Sequence, residues 1–581
     1  MKYNKKILKM YLKLIPVQIF LCISGGLGNI VNGFIIGNNL SPTAMIALGY
    51  TGPLIIMLTS IASIFSSGSG ILCGRYMGKG EVDGVNATYS NALYSSVFLG
   101  GILTVVLFVF TEPVAMLLGA NNLALADTTQ YVRGLSFSVI PSMMIPTLMT
   151  FLQMCNKSTF SLISTLFMAF LNAVFSYIAI HIAHTGIFGV ALSTSLSKIL
   201  TVLLLFGYIA VKKNLVRFNK NSFSISLIRE MIVYGVPASF AGVLYSIRNV
   251  FLNTFANNVG GPDAVNALAI LSSVTSFYDW VPLACINISI MLISVFVGER
   301  DSNSVKQVVY MTMVLGGIMT AIKVILNYIL RYNIAISFGA AGDVIGLTVS
   351  LLTFYAYSSF FNSINVSINS SYANFGRTTY INISYLINCI ISPLFSCIVL
   401  TKYYGINAIW YCYTFAEFVN MAYWYLVGCF RKKGIATSID DILDFDESFD
   451  LSNKYTITIN SMEEVVDVSR SIQSFCKEHG IDDRRSMLSG LCMEEMAGNV
   501  VDHGFKKDKK KNHSIDIFVC VENDEVLMRM RDDCIPFDPQ SKLKIVTDDP
   551  LKNIGIKMVN NIAKETTYQS TFGMNVLIIK L

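Results

Sequence analysis

Gly78-Lys79-Gly80-Glu81-Val82-Asp83-Gly84-Val85 returns 220 positions later as Gly298-Glu299-Arg300-Asp301-Ser302-Asn303-Ser304-Val305. Both stretches are polar loops, and each follows a long apolar run. At the same offset upstream, Ala44-Met45-Ile46-Ala47-Leu48 falls on Ala264-Val265-Asn266-Ala267-Leu268. One gap earlier the offset is 221, and it brings Pro16 onto Pro237 and Asn32 onto Asn253. Apolar segments resemble one another by chance, but a polar loop held at a constant offset does not. The chain therefore carries an internal duplication.

The apolar runs around those loops fix the solvent of each copy. A helix needs about 20 apolar residues to cross ~30 Å of hydrocarbon. Twelve segments qualify, near residues 14–36, 45–73, 87–110, 133–154, 159–182, 187–211, 233–256, 264–297, 307–330, 345–371, 379–401 and 405–429. Each is too long for a strand of a transmembrane barrel, and none alternates in polarity. Six spans separate equivalent points, an even number, so the copies are parallel. Two parallel six-helix halves are a transporter architecture, with the substrate site between or within them.

Composition divides the chain at one seam. The 581 residues are 53% hydrophobic and 14% charged, whereas soluble domains run nearer 25% charged. Residues 1–430 hold 22 Lys+Arg and 11 Asp+Glu, and residues 431–581 hold 21 and 26. The first part is lipid-solvated and the second is a soluble tail. The basic N-terminus lacks a small-residue cleavage site, so it reads as a retained first span rather than a signal peptide. With that terminus inside, the inner loops carry 19 Lys and Arg, from the five N-terminal lysines to Arg431-Lys432-Lys433. The outer loops hold only Arg133, Arg331 and Lys402. This positive-inside bias places both termini in the cytoplasm, where the tail meets ATP. The 12 cysteines form no CxxC pair, and most behave as small hydrophobes.

The duplicated six-span halves, the stretch Val31-Asn32-Gly33-Phe34-Ile35-Ile36-Gly37 before Ala44–Gly49, and the loop Cys73-Gly74-Arg75-Tyr76-Met77-Gly78-Lys79-Gly80 resemble the multidrug and toxin extrusion (MATE) transporters over residues 10–430. The resemblance implies a plasma-membrane exporter of organic, often cationic, compounds that works in exchange for Na⁺ or H⁺. Many members carry an acid where this chain has Asn32, which can offer a carbonyl oxygen to Na⁺ but takes no proton. The seventh-span acid of the family has no counterpart near Tyr245, and Arg248 stands in that span instead.

Ionisable residues inside the bilayer are costly and default to functional roles. Asp279 and Glu417 are the acids well inside the spans, and Arg248, Lys198 and Lys323 are the bases. Asn32, Arg248, Asp279 and Glu417 are the candidate transport-cavity residues. A structural pair, Arg248 with Asp279 or with Glu417, is the competing reading. Asn172, Asn253, Asn365 and Asn369 read as interhelical hydrogen-bond partners. His181 and His184 read as a solvated outer pair.

The tail begins after a linker, 431–453, whose basic cluster suits the anionic inner leaflet. Strands are expected at 455–459, 514–521, 525–531, 568–571 and 574–581, and helices at 462–479, 482–504 and 553–563. These make an α+β sandwich. Glu495 and Asn499 are i and i+4 on one helix face, followed by His503-Gly504. A carboxylate there can act as general base, and an amide oxygen one turn on can hold Mg²⁺. Asp532 and Asp533 follow a strand, with Phe537 close behind, where a carboxylate can accept from an adenine amino group. Asn553 and Gly555 open a helix whose N–H groups suit phosphate.

In this order and spacing the three stretches resemble the histidine-kinase-type ATPase fold over 454–581, nearest the bacterial anti-sigma-factor serine kinases. Glu495, Asn499, His503, Gly504, Asp532, Phe537, Asn553 and Gly555 match its motifs, while Cys534 and Pro536 stand where it has glycine. The resemblance implies bound ATP and Mg²⁺, with Glu495 catalytic and a regulatory protein partner. No phosphoacceptor-histidine helix and no Walker A loop occur, so the tail is neither a complete sensor kinase nor a transport motor. The run Lys506-Lys507-Asp508-Lys509-Lys510-Lys511 lacks interleaved aromatics and reads as a solvated loop, with no nucleic-acid partner.

The chain thus reads as an all-α polytopic membrane protein of two six-helix lobes, 1–220 and 221–430, joined by a linker to an ATP-binding α+β domain, 454–581. Its expected function is an ion-coupled efflux antiporter with a regulatory tail. The alternative is a transport-silent sensor that controls a serine-kinase-like domain.

Overall fold

Hydroxyls in apolar helices must find acceptors within the fold, and here they find their own backbone. Thr88, Ser90, Ser164, Ser193 and Thr201 each donate to the carbonyl four residues earlier, at 2.7–2.8 Å. Such back-bonding lets polar side chains sit in long helices without breaking them. The computed structural model describes residues 5–120, 124–211, 216–278, 280–338, 340–443, 454–505, 513–522, 524–536, 538–539 and 554–581. Two compact units part between Phe445 and Asp446.

In the first unit, α1 (Lys5–Asn39), α2 (Pro42–Lys79), α3 (Val82–Val109), α4 (Thr111–Leu117), α5 (Leu125–Ser136), α6 (Val139–Met154), α7 (Ser158–His181) and α8 (Gly186–Val211) form the first half. The second half runs through α9 (Ile225–Tyr278), α10 (Trp280–Gly298), α11 (Ser302–Ser337), α12 (Asp343–Asn374), α13 (Thr378–Tyr404) and α14 (Asn407–Lys432). Gly261 breaks α9 with φ 66° and ψ −162°, a conformation essentially confined to glycine. Within α13, Ile387–Ile391 and Ser396–Leu400 wind as π-helix on either side of Pro393.

By length and composition nine helices among the described residues can cross a membrane, or ten if the pair α5–α6, bent by 48°, is one span. Twelve were expected. The expected spans 14–36 and 405–429 are the two not among these ten. α14, which covers the second of them, carries Glu417 and Asn420 within its apolar run. The fourth expected span, 133–154, falls across the bent pair Leu125–Ser136 and Val139–Met154. Large apolar side chains such as Phe34, Phe98, Leu117 and Phe430 are more than 50% exposed, as lipid solvation allows.

The repeated loop of the sequence lies where the halves cross. α2 packs along α9 and α10. A Cβ on Gly78 would overlap the Val295 carbonyl and the Glu299 amide, and one on Gly298 would overlap the Arg75 carbonyl. Backbone meets backbone here. Arg75 ties the crossing by donating to Tyr234 Oη at 2.6 Å and to the Asn374 carbonyl.

After α14 the chain folds back as α15 (Ile439–Ile442), which starts in a capping box of Ser438 and Asp441. Lys432 Nζ lies 2.8 Å from Asp441 and helps hold its carboxyl well below the usual range, together with the Thr437 and Ser438 N–H groups. Tyr310 Oη donates to Asp440 and Tyr372 Oη to the Ile442 carbonyl, both at 2.8 Å.

The second unit is a five-stranded antiparallel sheet in the order β1-β2-β3-β5-β4. The strands are β1 (Lys454–Ile459), β2 (Ile515–Glu522), β3 (Glu525–Asp532), β4 (Glu565–Thr571) and β5 (Met574–Lys580). Three helices supply the other layer: α16 (Met462–Glu478), α17 (Asp483–Asn499) with a π turn over Val500–Phe505, and α18 (Ile554–Ile562). Val465, Val468, Ile472 and Cys476 line one face of α16 at helical spacing. They share a core with Ile517, Val519, Met528, Met530, Leu577 and Ile579, which alternate along their strands.

Met528 is fully buried in that core. Met528→Ala should cost about 2–5 kcal/mol, enough to raise the opened population of the tail at least tenfold. The reporter is native: Cys476 and Cys492 are buried in the same core, and burial, with Glu495 nearby, pushes the Cys492 thiol up to about 11. In the full-length protein, alkylation of these thiols should accelerate at least tenfold in the variant.

Candidate functional site

The second half and part of α2 enclose a cavity of about 1150 Å³, lined in part by Ser63, Ser66, Tyr245, Arg248, Asn253, Tyr355, Asn362, Asn365, Asn369, Asn388, Tyr413 and Glu417. α14 carries Glu417 into it at 7% exposure. Asn362 Nδ2 donates to one carboxylate oxygen at 2.8 Å, and Asn365 Nδ2 donates to the other at 2.7 Å. Amide donors thus hold the carboxylate from α12. The side-chain oxygens of Asn365, Asn369 and Asn388 are buried without a donor. Arg248 lies between the rings of Tyr245 and Tyr413, at 4.8 and 5.3 Å from their centroids.

Of the four residues expected to line one cavity, the three that are described divide into two places. Arg248 and Glu417 share it, and among the described residues they form no ion pair. Asn32 is elsewhere. It donates to Thr194 Oγ1 at 3.0 Å and accepts from Asn172 Nδ2 at 3.0 Å, beside Tyr131, in a closed cluster of the first half. Asn32 is paired because α1 packs on α7 and α8. Asp279 lies outside the described residues. Lys198 and Lys323 meet Ser142 and Ser359 at 2.9 and 3.1 Å. Sequence reasoning missed Asn362, Asn388, Tyr245 and Tyr413. The density of Asn in the second-half spans was the available signal.

A second cavity, of about 230 Å³, lies in the tail between α17 and the sheet. Asn499, His503 and Asp532 line it, with Met496, Val500, Met530, Ile535 and Leu577 as apolar wall. Asp532 Oδ1 accepts the Cys534 N–H at 2.9 Å and Asn575 Nδ2 at 2.8 Å. Tyr568 Oη in turn donates to Asn575 Oδ1 at 2.9 Å. This fixes the carboxylate at the floor of an apolar slot, the arrangement that reads a flat base by one polar contact. Asn575 and Tyr568, both from the last hairpin, had no motif to announce them. Asp533 does not line the slot and pairs with His513 at 3.0 Å. Glu495 faces the start of α18, where a Cβ on Gly555 would collide with its carboxylate. Phe537, Asn553 and the lysine run 506–511 lie outside the described residues.

A family model described as MatE matches residues 16–178 and 237–398, and one described as histidine kinase-like ATPase domain matches 460–581. A probable multidrug resistance protein of Bacillus subtilis is 24% identical over 352 residues, 58% of this chain and 76% of that protein. A multidrug export protein of Staphylococcus haemolyticus is 25% identical over 233 residues, 40% of this chain and 52% of its own length. The match thus spans about half of that second relative. A MOP superfamily transporter from Pyrococcus furiosus superposes with a TM-score of 0.69 at 18% identity, covering 74% of this chain and 99% of that one. An outward-facing MATE family transporter of the same superfamily gives the same score, identity and coverage.

Proposed function

Since the chain belongs to the MatE family by a match that takes in both halves of its membrane body, we propose that it is an ion-coupled efflux antiporter for small organic compounds, regulated by a cytoplasmic ATP-binding tail. Twelve spans in two lobes, 1–220 and 221–430, would sit in the cell membrane with both termini inside. The linker 431–453 would join them to the domain 454–581.

The observation that carries this reading is the Glu417 site. A carboxylate facing a large cavity, beside three buried amide oxygens without donors, is the donor set of a hard cation. Na⁺ fits it better than a proton alone, because a proton would leave the amide oxygens unmatched. Glu417, Asn365, Asn369 and Asn388 would hold the ion, which would supply the driving gradient. The ion and the substrate would compete for the two faces of one cavity, which is the minimum an exchanger requires.

In the tail, Asp532 would accept from the adenine amino group. Asn499 would hold Mg²⁺ together with nucleotide phosphate, since its amide oxygen is the hard donor that ion prefers, and Glu495 would polarise an attacking hydroxyl. His503 and Gly555 complete the nucleotide set. A regulatory protein would read the nucleotide state. Asn575→Ala removes the donor that aims Asp532 and leaves Tyr568 without its acceptor. Affinity for a fluorescent ATP analogue should fall about tenfold, the loss of about 1.4 kcal/mol.

Dye efflux from cells with the full chain and with residues 446–581 removed tests the whole reading. Gradient-dependent efflux should persist in the truncated chain and lose its response to ATP. The neutral, fully paired Asn32 cluster favours a second reading, a transport-silent sensor. Absence of efflux under any gradient, with ATP binding intact, would decide for that one.

A further inference from the structure

Burial of a charge normally demands a partner, and among the described residues one charge in the cavity makes no ion pair and no hydrogen bond. Arg248 carries a guanidinium that stays protonated at any working pH. Among the described residues it makes no ion pair and no hydrogen bond, and its Nε is buried without an acceptor. Its neighbours are the faces of Tyr245 and Tyr413, which hold a cation in place but do not neutralise it. Glu417, in the same cavity, is already engaged by the Asn362 and Asn365 amides. Among the described residues the cavity therefore presents a carboxylate held by amide donors and a guanidinium with no ion-pair or hydrogen-bond partner.

We propose that this cavity selects organic compounds that carry an acidic group, a carboxylate, sulfonate or phosphate, docked on the guanidinium of Arg248. The planar fork of Arg pairs such groups through two parallel N–H donors. The apolar remainder of the compound would lie against Leu252, Leu268, Leu271 and Ile290, which line the same space. This departs from the cationic substrates that the family resemblance implies, because Glu417 is given to the coupling ion and a cationic group cannot dock on the guanidinium that is left. The inference deepens the transport reading above and rests on it for its physiological meaning, but the binding preference stands on the geometry alone.

Three dansyl compounds with one chromophore and different charges test it: dansylglycine, an anion; dansylglycinamide, neutral; and dansylcadaverine, a cation. Fluorescence polarisation with the full-length protein in lipid nanodiscs reports affinity without any gradient. Dansylglycine should bind at least tenfold more tightly than the amide, with dansylcadaverine weakest. Arg248→Gln should erase the preference, and Arg248→Lys should keep part of it, since the charge remains and the fork is lost. The wild-type order is informative even if Arg248→Gln does not fold. Equal or absent binding across the three, preference for dansylcadaverine, or a preference unchanged in a folded Arg248→Gln protein overturns the proposal. Gradient-independent efflux would overturn the antiporter instead, and would leave this binding order standing.

Discussion

Efflux driven by a Na⁺ gradient should fall at least tenfold in Glu417→Gln. Two effects add. The substitution removes the one carboxylate seen in the cavity among the described residues, and with it the charge that would attract the ion. It also turns one acceptor into a donor, opposite Asn362 or Asn365 amides that already donate at 2.8 and 2.7 Å. Leaving a buried donor unmatched costs about 1–3 kcal/mol. Glu417→Asp keeps the charge but withdraws it by one methylene, so it should lose less. The assay is everted vesicles with an imposed Na⁺ gradient, compared with an imposed pH gradient of equal energy. Unchanged Na⁺-driven efflux in Glu417→Gln would falsify the assignment of the coupling site. A response to the pH gradient alone would move the coupling from Na⁺ to H⁺.

The second large effect is expected at the crossing of the halves. In Gly78→Leu the new side chain meets the Val295 carbonyl and the Glu299 amide, and in Gly298→Leu it meets the Arg75 carbonyl. A side chain in the way can rotate; a backbone in the way moves a whole helix. Overpacking costs about 1–3 kcal/mol where neighbours are flexible, and here they are not. An exporter that rocks one lobe against the other must bring this crossing together once per cycle. Each substitution should abolish efflux while the protein still reaches the membrane. Gly101→Leu is the matched control, because a Cβ there meets nothing within 4 Å. Normal efflux in both wedge variants would show that the crossing need not close.

Most of this fold was legible because its signals were local. The repeat at Gly78 and Gly298 announced two related halves, and the structure puts both copies at the same crossing. Tail strands and helices followed alternation and helical spacing. The count of spans was less legible. Hydropathy alone cannot weigh a helix like α14, whose Glu417 is tolerated because α12 supplies two amides. The site followed the same division. Asn499 and His503 come from α17 and its π turn and Asp532 from the end of β3, and all three line the slot that their motifs suggested. Asn575 was invisible because it reaches Asp532 across paired strands, 43 residues along the chain. Arg248 and Glu417 were found by cost, as charges where charges are rare. Their being unpaired with each other depended on Tyr245, Tyr413 and two asparagines, which no spacing rule connects.

The π-helical stretches in α13 have a genetic consequence. A π turn holds one more residue than an α turn, so each stretch stores an extra residue in the ladder. Deleting one residue from an ordinary span would rotate everything beyond it by about 100° and slide it by about 1.5 Å. Deleting one from Ile387–Ile391 or Ser396–Leu400 should instead relax that stretch to α-helix and leave the rest of the span in frame. Among the described spans, α13 should therefore tolerate the loss of a single codon. Because Asn388 lies in the first stretch and on the cavity wall, such a change would swap the residue offered to the cavity while the scaffold stayed as it is.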